Sequence, residues 1–532
     1  MGSGVGRPLS PRAGERLPLI ERGNPWSASA TGATVPHVET ERHRREHAGN
    51  SLRAPRGWSV YPVKGITMRR TAALIACVAL SAAACNRSEA PKVVTKDGAT
   101  SSTSAGSAKG GAASFGDLTN VCQDGSPTGS PAAGVTADSI RVATFSDTGF
   151  VGRPGLNQEF FDAAEVFSKW CNDHGGINGR TIVVDNRDAA LFNIQARMVE
   201  ACADDFAMVG GGATFDADGV ETRLKCLLPD IAGFVASAKA RGADLLVQPE
   251  PNALTSLQVG NLRYLGKKFP NGAAHFGLLV GDLPLTKEVG DQNAAAAKSF
   301  GWNVVSNDVY PPAGVTDWTP YAQKIKDAGV KGLAFIGEPE GLGKLIVALN
   351  DIGYPLDFIR ADANHYDVKL TDTAAAALSN APVYIQLNIA PFEGAAKSSA
   401  IGQYLAAFQQ YKPDGKSRTY LGVNAWSAWL LFAKAASSCG NDLTRTCFYN
   451  AAKKIDRWTG GGLHSVTNPG AGTSSQCFAT LKATPKGFTL MTDTKPNQGI
   501  YNCSPQNIFK LTGNIGAETT LADVGQNIKN LK

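Results

Sequence analysis

Between residues 139 and 188 short apolar runs alternate with one long amphipathic stretch. Residues 139–145 read as a strand, and Ser146 to Gly152 as a turn. Residues 156–174 then carry Phe160, Ala163, Ala164, Phe167 and Trp170 at helical spacing. A Gly-Gly loop follows, and residues 181–185 form the next apolar run. Strand, helix and strand in this order open a parallel sheet. The same alternation continues, with strands expected over 206–209, 230–235, 275–280, 303–306, 332–336, 358–359 and 383–386. Helices are expected over 256–269, 285–300, 318–328, 343–352, 400–411 and 420–438. The pattern predicts an α/β protein, and 532 residues are too many for one core.

The ends of the chain read differently. Residues 1–67 are rich in Arg, Gly, Pro and Ser without sustained periodicity, and are read as mis-assigned upstream sequence or a disordered extension. Residues 68–85 have the form of a secretion signal: Arg69 and Arg70, a short apolar run, then small residues before Cys85. Translation is expected to start at Met68, with Cys85 lipidated and holding the chain at a membrane. Cleavage after Ala84 with release of a soluble protein is the alternative. Residues 86–137 are read as a flexible tether, rich in Ser, Thr, Ala, Gly and Lys as far as about Gly116, and a pre-domain segment. Charge follows this division. The formal +6 of the whole chain falls to −1 from Asn86 onward, which leaves no electrostatic footprint for nucleic acid.

Of ten cysteines, Cys77 lies in the signal and Cys85 at its end. The other eight are an even set in an exported chain and suggest disulfides. Connectivity is not fixed by sequence, but loop logic ranks Cys439 with Cys447, Cys477 with Cys503, Cys202 with Cys226, and Cys122 with Cys171. No CxxC occurs, so metal is disfavoured and no cofactor is expected.

The run Asn172-Asp-His-Gly-Gly-Ile-Asn-Gly179 resembles the loop after the first helix in branched-chain amino acid (leucine-binding) type substrate-binding proteins of ABC importers. The resemblance extends from about Val135 to Ser504. It implies a type I periplasmic binding protein fold: two Rossmann-like lobes, a three-crossover hinge and a cleft between the lobes. Lobe 1 is then expected from 138–252 and 384–461, lobe 2 from 253–383 and 462–510, and a C-terminal tail from 511–532. It further implies an extracytoplasmic, lipid-anchored monomer that hands a small amino acid-like solute to an ABC permease. A sensing receptor domain of the same fold is the alternative.

In open α/β sheets ligands sit beyond the carboxyl ends of strands. The candidates are therefore Ser146 and Asp147, Thr214 and Phe215, Ala236 and Ser237, Glu338, and Asp362 with Tyr366; Tyr420 is a candidate apolar wall. A zwitterion needs N–H and hydroxyl donors for its carboxylate, which Thr214, Phe215 and Ser237 offer at helix starts. Its ammonium needs a carboxylate, for which Asp362 is the candidate. The resemblance implies the same two roles. Helix capping is the alternative for Thr214 and Ser237, and an Asx turn for Asp362. The sequence departs from the leucine type at Pro154 and Glu338, where an aromatic is common, and at Lys239 and Arg241, which implies a more polar pocket. Enzyme motifs are incomplete: Gly210-Gly211-Gly212 lacks the last glycine of GxGxxG, and Gly341-Leu-Gly-Lys344 lacks the P-loop's first glycine. No catalytic role is assigned.

Overall fold

The structure is a computed structural model that describes residues 113–311, 314–397, 399–512, 516 and 518–532. The expectations for 1–67, for the signal with Cys85, and for most of the tether lie outside these residues. The tether ends earlier than its composition suggests. Ala113–Phe115 and Leu118–Cys122 pair as antiparallel strands, and Phe115 is buried with its ring 5.6 Å from that of Trp426.

Two α/β lobes follow. The first is a five-stranded parallel sheet in the order Thr181–Asp188, Ser139–Ser146, Met208–Val209, Asp230–Ile231, Leu246–Val247. Its inner strand Ser139–Ser146 is almost wholly buried, which is why it reads as a near-continuous apolar run. The helix Gln158–Asp173 lays Phe160, Ala163, Ala164 and Phe167 against this core. In the second lobe Val304–Tyr310, Phe276–Gly281, Gly332–Ile336, Phe358–Ala361 and Val383–Leu387 are parallel. Antiparallel Cys477–Thr484 and Gly487–Leu490 extend that sheet. Both sheets reverse strand order beside their first strand, so each presents a crevice there.

The Gly-Gly loop is structural. Gly176 has φ +70°, and a Cβ on it would stand 2.1 Å from the Arg180 carbonyl oxygen. Its N–H donates to the Cys171 carbonyl at 2.9 Å, while Gly179 N–H donates to the Gln123 carbonyl at 3.1 Å. The motif thus fastens the helix end to the preceding segment, beside the Cys122–Cys171 bridge. The four disulfides among the described residues join the expected partners, the others being Cys202–Cys226, Cys439–Cys447 and Cys477–Cys503.

Three expectations need correction. Residues 256–258 do not begin a helix: Ser256–Gln258 is a strand paired with Ile508–Lys510, and the helix is Gly260–Lys268. The second crossing comes later than expected, because Val383–Leu387 pairs with Phe358–Ala361 and so belongs to lobe 2. The chain also crosses a fourth time. Thr519 bridges Ala243, and Leu521 and Leu531 pack with Val220, Leu224 and Ala232 of lobe 1. The crossings are bonded to one another: Asn388 Nδ2 donates to Gln258 Oε1 at 2.9 Å, Ala390 N–H to the Leu463 carbonyl at 2.8 Å, and Leu511 N–H to the Thr255 carbonyl at 3.0 Å.

Candidate functional site

A cavity of about 390 Å³ lies between the lobes, a size typical of ligand pockets. Lobe 1 contributes Phe160, Thr214 and Phe234, the crossings contribute Glu250 and Asn388, and lobe 2 contributes Arg360. Charged side chains join the two lips. Arg153 of lobe 1 pairs with Glu338 and, at 3.1 Å, with Glu340 of lobe 2. Lys369 adds a 2.7 Å contact to Glu340. Burial works against ionisation of Glu340, yet Lys369 and Arg153 hold its carboxyl down at about 2. Arg241 of lobe 1 pairs with Glu288 on the lobe 2 helix Pro284–Ser299. The lobes are therefore clasped.

The lobe 1 loops expected to hold a ligand carboxylate are occupied by the protein's own carboxylates. Asp147 is fully buried and accepts from Thr214 N–H at 2.7 Å and Leu191 N–H at 2.9 Å. Asp216 accepts from Ala236 N–H at 2.6 Å and Ser237 N–H at 3.0 Å. Ser237 Oγ caps the short helix Ala238–Arg241 by accepting from Ala240 N–H at 3.2 Å. Ser146 Oγ donates to the Asn157 carbonyl at 2.8 Å. Phe215 turns to Phe192, with ring centroids 5.6 Å apart. Of this group only Thr214 and Ala236 line the cavity; Ser146, Asp147, Phe215 and Ser237 do not.

On the other side, Glu338, Asp362 and Tyr420 line the cavity and Tyr366 does not. Tyr366 is buried among Phe392, at 5.0 Å between ring centroids, and Phe488, at 4.8 Å. Its hydroxyl oxygen accepts from Phe392 N–H at 2.7 Å and its proton goes to Glu393. Asp362 meets Arg360 Nη2 at 2.7 Å, so a cation of the protein already holds it.

Two residues not singled out from the sequence dominate the site chemically. Arg360 sits in the fully buried strand Phe358–Ala361 and is 2% exposed, and its Nε and Nη1 have no hydrogen-bond partner. Glu250 lies on the first crossing, and burial pushes its carboxyl up to about 8. The Tyr420 hydroxyl works the other way, but among the described residues no Lys or Arg pairs with Glu250. His464 stands 3.8 Å away and is itself kept neutral by burial, with its pKa lowered to about 4. The signal available for Arg360 was an arginine flanked on both sides by apolar strand residues, since buried charges are rare without a partner or a task. The cavity wall thus combines the cations Arg153, Arg241, Arg360, Lys369 and Lys416 with carboxyl groups, amides, hydroxyls and apolar side chains.

This fold is that of type I periplasmic binding proteins, and the comparisons agree with it. The profile of the family described as "Periplasmic binding protein" matches residues 260–487. Among solved structures the chain is similar to a fatty acid ABC transporter substrate-binding protein from Thermomonospora curvata, with 16% identity and a TM-score of 0.59, covering 71% of this chain and 95% of that one. It is also similar to a branched chain amino acid ABC transporter from Thermus thermophilus with bound valine (16% identity, TM-score 0.57, 70% of this chain and 98% of that one). A leucine-binding protein from Thermotoga maritima is similar at 9% identity and TM-score 0.54, covering 66% and 97%. No curated protein matches the sequence significantly.

Proposed function

We propose that this protein is an extracytoplasmic solute-binding protein, anchored through Cys85, that closes on a small organic solute and delivers it to an ABC importer. The observation that carries the reading is the cavity between two lobes, with polar groups buried in its wall and ion pairs across its lips. A hinge of hydrogen-bonded crossings lets such lobes swing as units. The family match over 260–487 and the likeness to importer-associated binding proteins support it. The protein acts as a carrier without catalysis, as a monomer.

Those neighbours are named for fatty acid and for branched-chain amino acids, and this cavity combines features suited to either kind of solute. It has an apolar wall, and it has charged groups at the end of a lobe 2 strand. A thermal-shift screen of amino acids, amides, short peptides and carboxylates tests the reading. A true ligand at 100-fold excess over its Kd adds about 2.7 kcal/mol to stability, and small-angle scattering then reports contraction of the lobes. A broad panel in which no solute raises the melting temperature would remove the proposal. For the anchor, Cys85→Ser is expected to move the protein from the membrane to the soluble fraction.

A further inference from the structure

We propose that the solute carries a nitrogen that donates hydrogen bonds as well as oxygens that accept them, and that it lies with the nitrogen on the hinge, at Glu250, and the oxygens on the arginines of the lobes. This rests on the solute-binding reading above and adds which residue recognises which end.

Unmet polar atoms in the cavity wall divide by place. Arg360 of lobe 2, its side chain 2% exposed, keeps Nε and Nη1 without a hydrogen-bond partner among the described residues, and Arg241 of lobe 1, 3% exposed, keeps Nε. These are donors. The crossings hold the reverse. The Glu250 side chain on the first crossing is 5% exposed, and neither of its oxygens has a partner within bonding distance. Asn388 on a later crossing gives Nδ2 to Gln258 and leaves its buried Oδ1 unmet. Buried groups in this state are costly, and a solute that answers them removes the cost. Oxygens answer guanidinium N–H groups, and an N–H answers a carboxyl.

The neighbours of Glu250 are committed elsewhere. His464, at 3.8 Å, donates through Nδ1 to the Ser465 carbonyl at 2.8 Å, and its Nε2 accepts from Ser427 Oγ at 2.8 Å. Trp458 Nε1 donates to the same Ser427 oxygen at 2.9 Å, which fixes that direction. The Tyr420 hydroxyl faces Glu250 from the helix Tyr420–Ser437, and one hydroxyl serves at most one of two oxygens. The other carboxyl groups of the wall have company. Glu338 meets Arg153, Asp362 meets Arg360 at 2.7 Å, and Glu159 has Lys416 at 3.8 Å. Asp367 accepts from Lys369 N–H at 2.8 Å as the cap of the helix Val368–Ala374. It meets no cation, so it enters the test as the rival seat. An approaching ammonium also favours the ionised form of Glu250, against the burial that raises its pKa.

The test is calorimetric titration of the full chain with two matched pairs: leucine against 4-methylpentanoate, and phenylalanine against 3-phenylpropanoate. The members of each pair differ in the amino group alone. The amino member is expected to bind about 10- to 100-fold more tightly through its charged hydrogen bonds. Glu250→Gln keeps the shape and removes the charge, and should bring the amino member down to the affinity of its partner; a cooperative thermal transition shows that the variant is folded. Asp362→Asn and Asp367→Asn should each keep the ratio within a pair, whatever they do to both affinities together. Des-amino acids that bind as tightly as their partners, a ratio that survives Glu250→Gln, or one that Asp362→Asn or Asp367→Asn erases would each overturn the proposal. So would silence of all four probes while another solute of the thermal-shift panel binds. Silence across that whole panel would instead overturn the solute-binding reading, and this proposal with it.

Discussion

The two lobes finish the same kind of crevice in opposite ways. Each sheet reverses its order beside its first strand and turns loops into the gap. In lobe 1 those loops are closed by the protein's own carboxylates, with Asp147 and Asp216 seated on N–H groups that a ligand would otherwise use. In lobe 2 the corresponding edge carries Arg360 with two nitrogens unanswered, against one, Arg241 Nε, among the lobe 1 arginines of the cavity. Polar loops satisfied from within are architecture, and the buried groups lacking partners are the candidates for contact with a solute.

The contrast extends to covalent ties, and breaking them should give the largest effect. Among the described residues lobe 1 holds three disulfides and lobe 2 one, Cys477–Cys503. Each contributes ~2–4 kcal/mol, so a reductant should lower the calorimetric transition of lobe 1 well below that of lobe 2. A single undivided transition, shifted little, would show the bridges to be dispensable.

Next comes Glu250, between the lobes. Its folded pKa of about 8 exceeds the ordinary carboxyl value, so the folded state binds the extra proton. Its contribution is therefore fully present at acid pH and is lost as pH rises from about 4.5 through 8, at up to ~1.4 kcal/mol per pH unit. Glu250→Gln, which is neutral throughout, should flatten the fall in melting temperature over that window. Parallel profiles for both proteins would mean that Glu250 ionises freely.

Asp216 tests the self-filled crevice directly. Asp216→Ala leaves the N–H groups of Ala236 and Ser237 unmet and should cost about 2–4 kcal/mol in chemical denaturation; added formate or acetate should recover part of it. The smallest effect is expected at the lips. Arg153 is partly exposed, so Arg153→Ala should change unfolding free energy by at most about 1 kcal/mol. It should nonetheless favour the open form in scattering without ligand, most clearly at low salt.

Much of the scaffold was legible because its signal is local. The strand Gly332–Ile336 is found where its apolar run ends, and the helix Ala400–Tyr411 where its period does. The misreadings depend on partners far along the chain. Ser256–Gln258 is too short to announce itself, and its pairing strand lies about 250 residues away. Residues 519–532 carry two isolated leucines, Leu521 and Leu531, whose burial against lobe 1 no periodicity forecasts. At the cavity, the sequence brought Thr214, Ala236, Glu338 and Asp362 into view, because strand ends are readable. It did not reveal that Asp147 and Asp216 would fill the lobe 1 loops, since hydrogen bonds between loops 20 to 67 positions apart have no sequence signature. Arg360 was readable in principle, as a charge within an apolar strand.

The fourth passage of the chain bears on how such a molecule gates. One tether between rigid bodies permits swing and twist alike, whereas several side by side, cross-bonded as Asn388 is to Gln258 and Leu511 to Thr255, resist torsion and leave a single rotational freedom. On the solute-binding reading, opening by that rotation would part Arg153 from Glu338, so the separated lips would present charge to an entering solute.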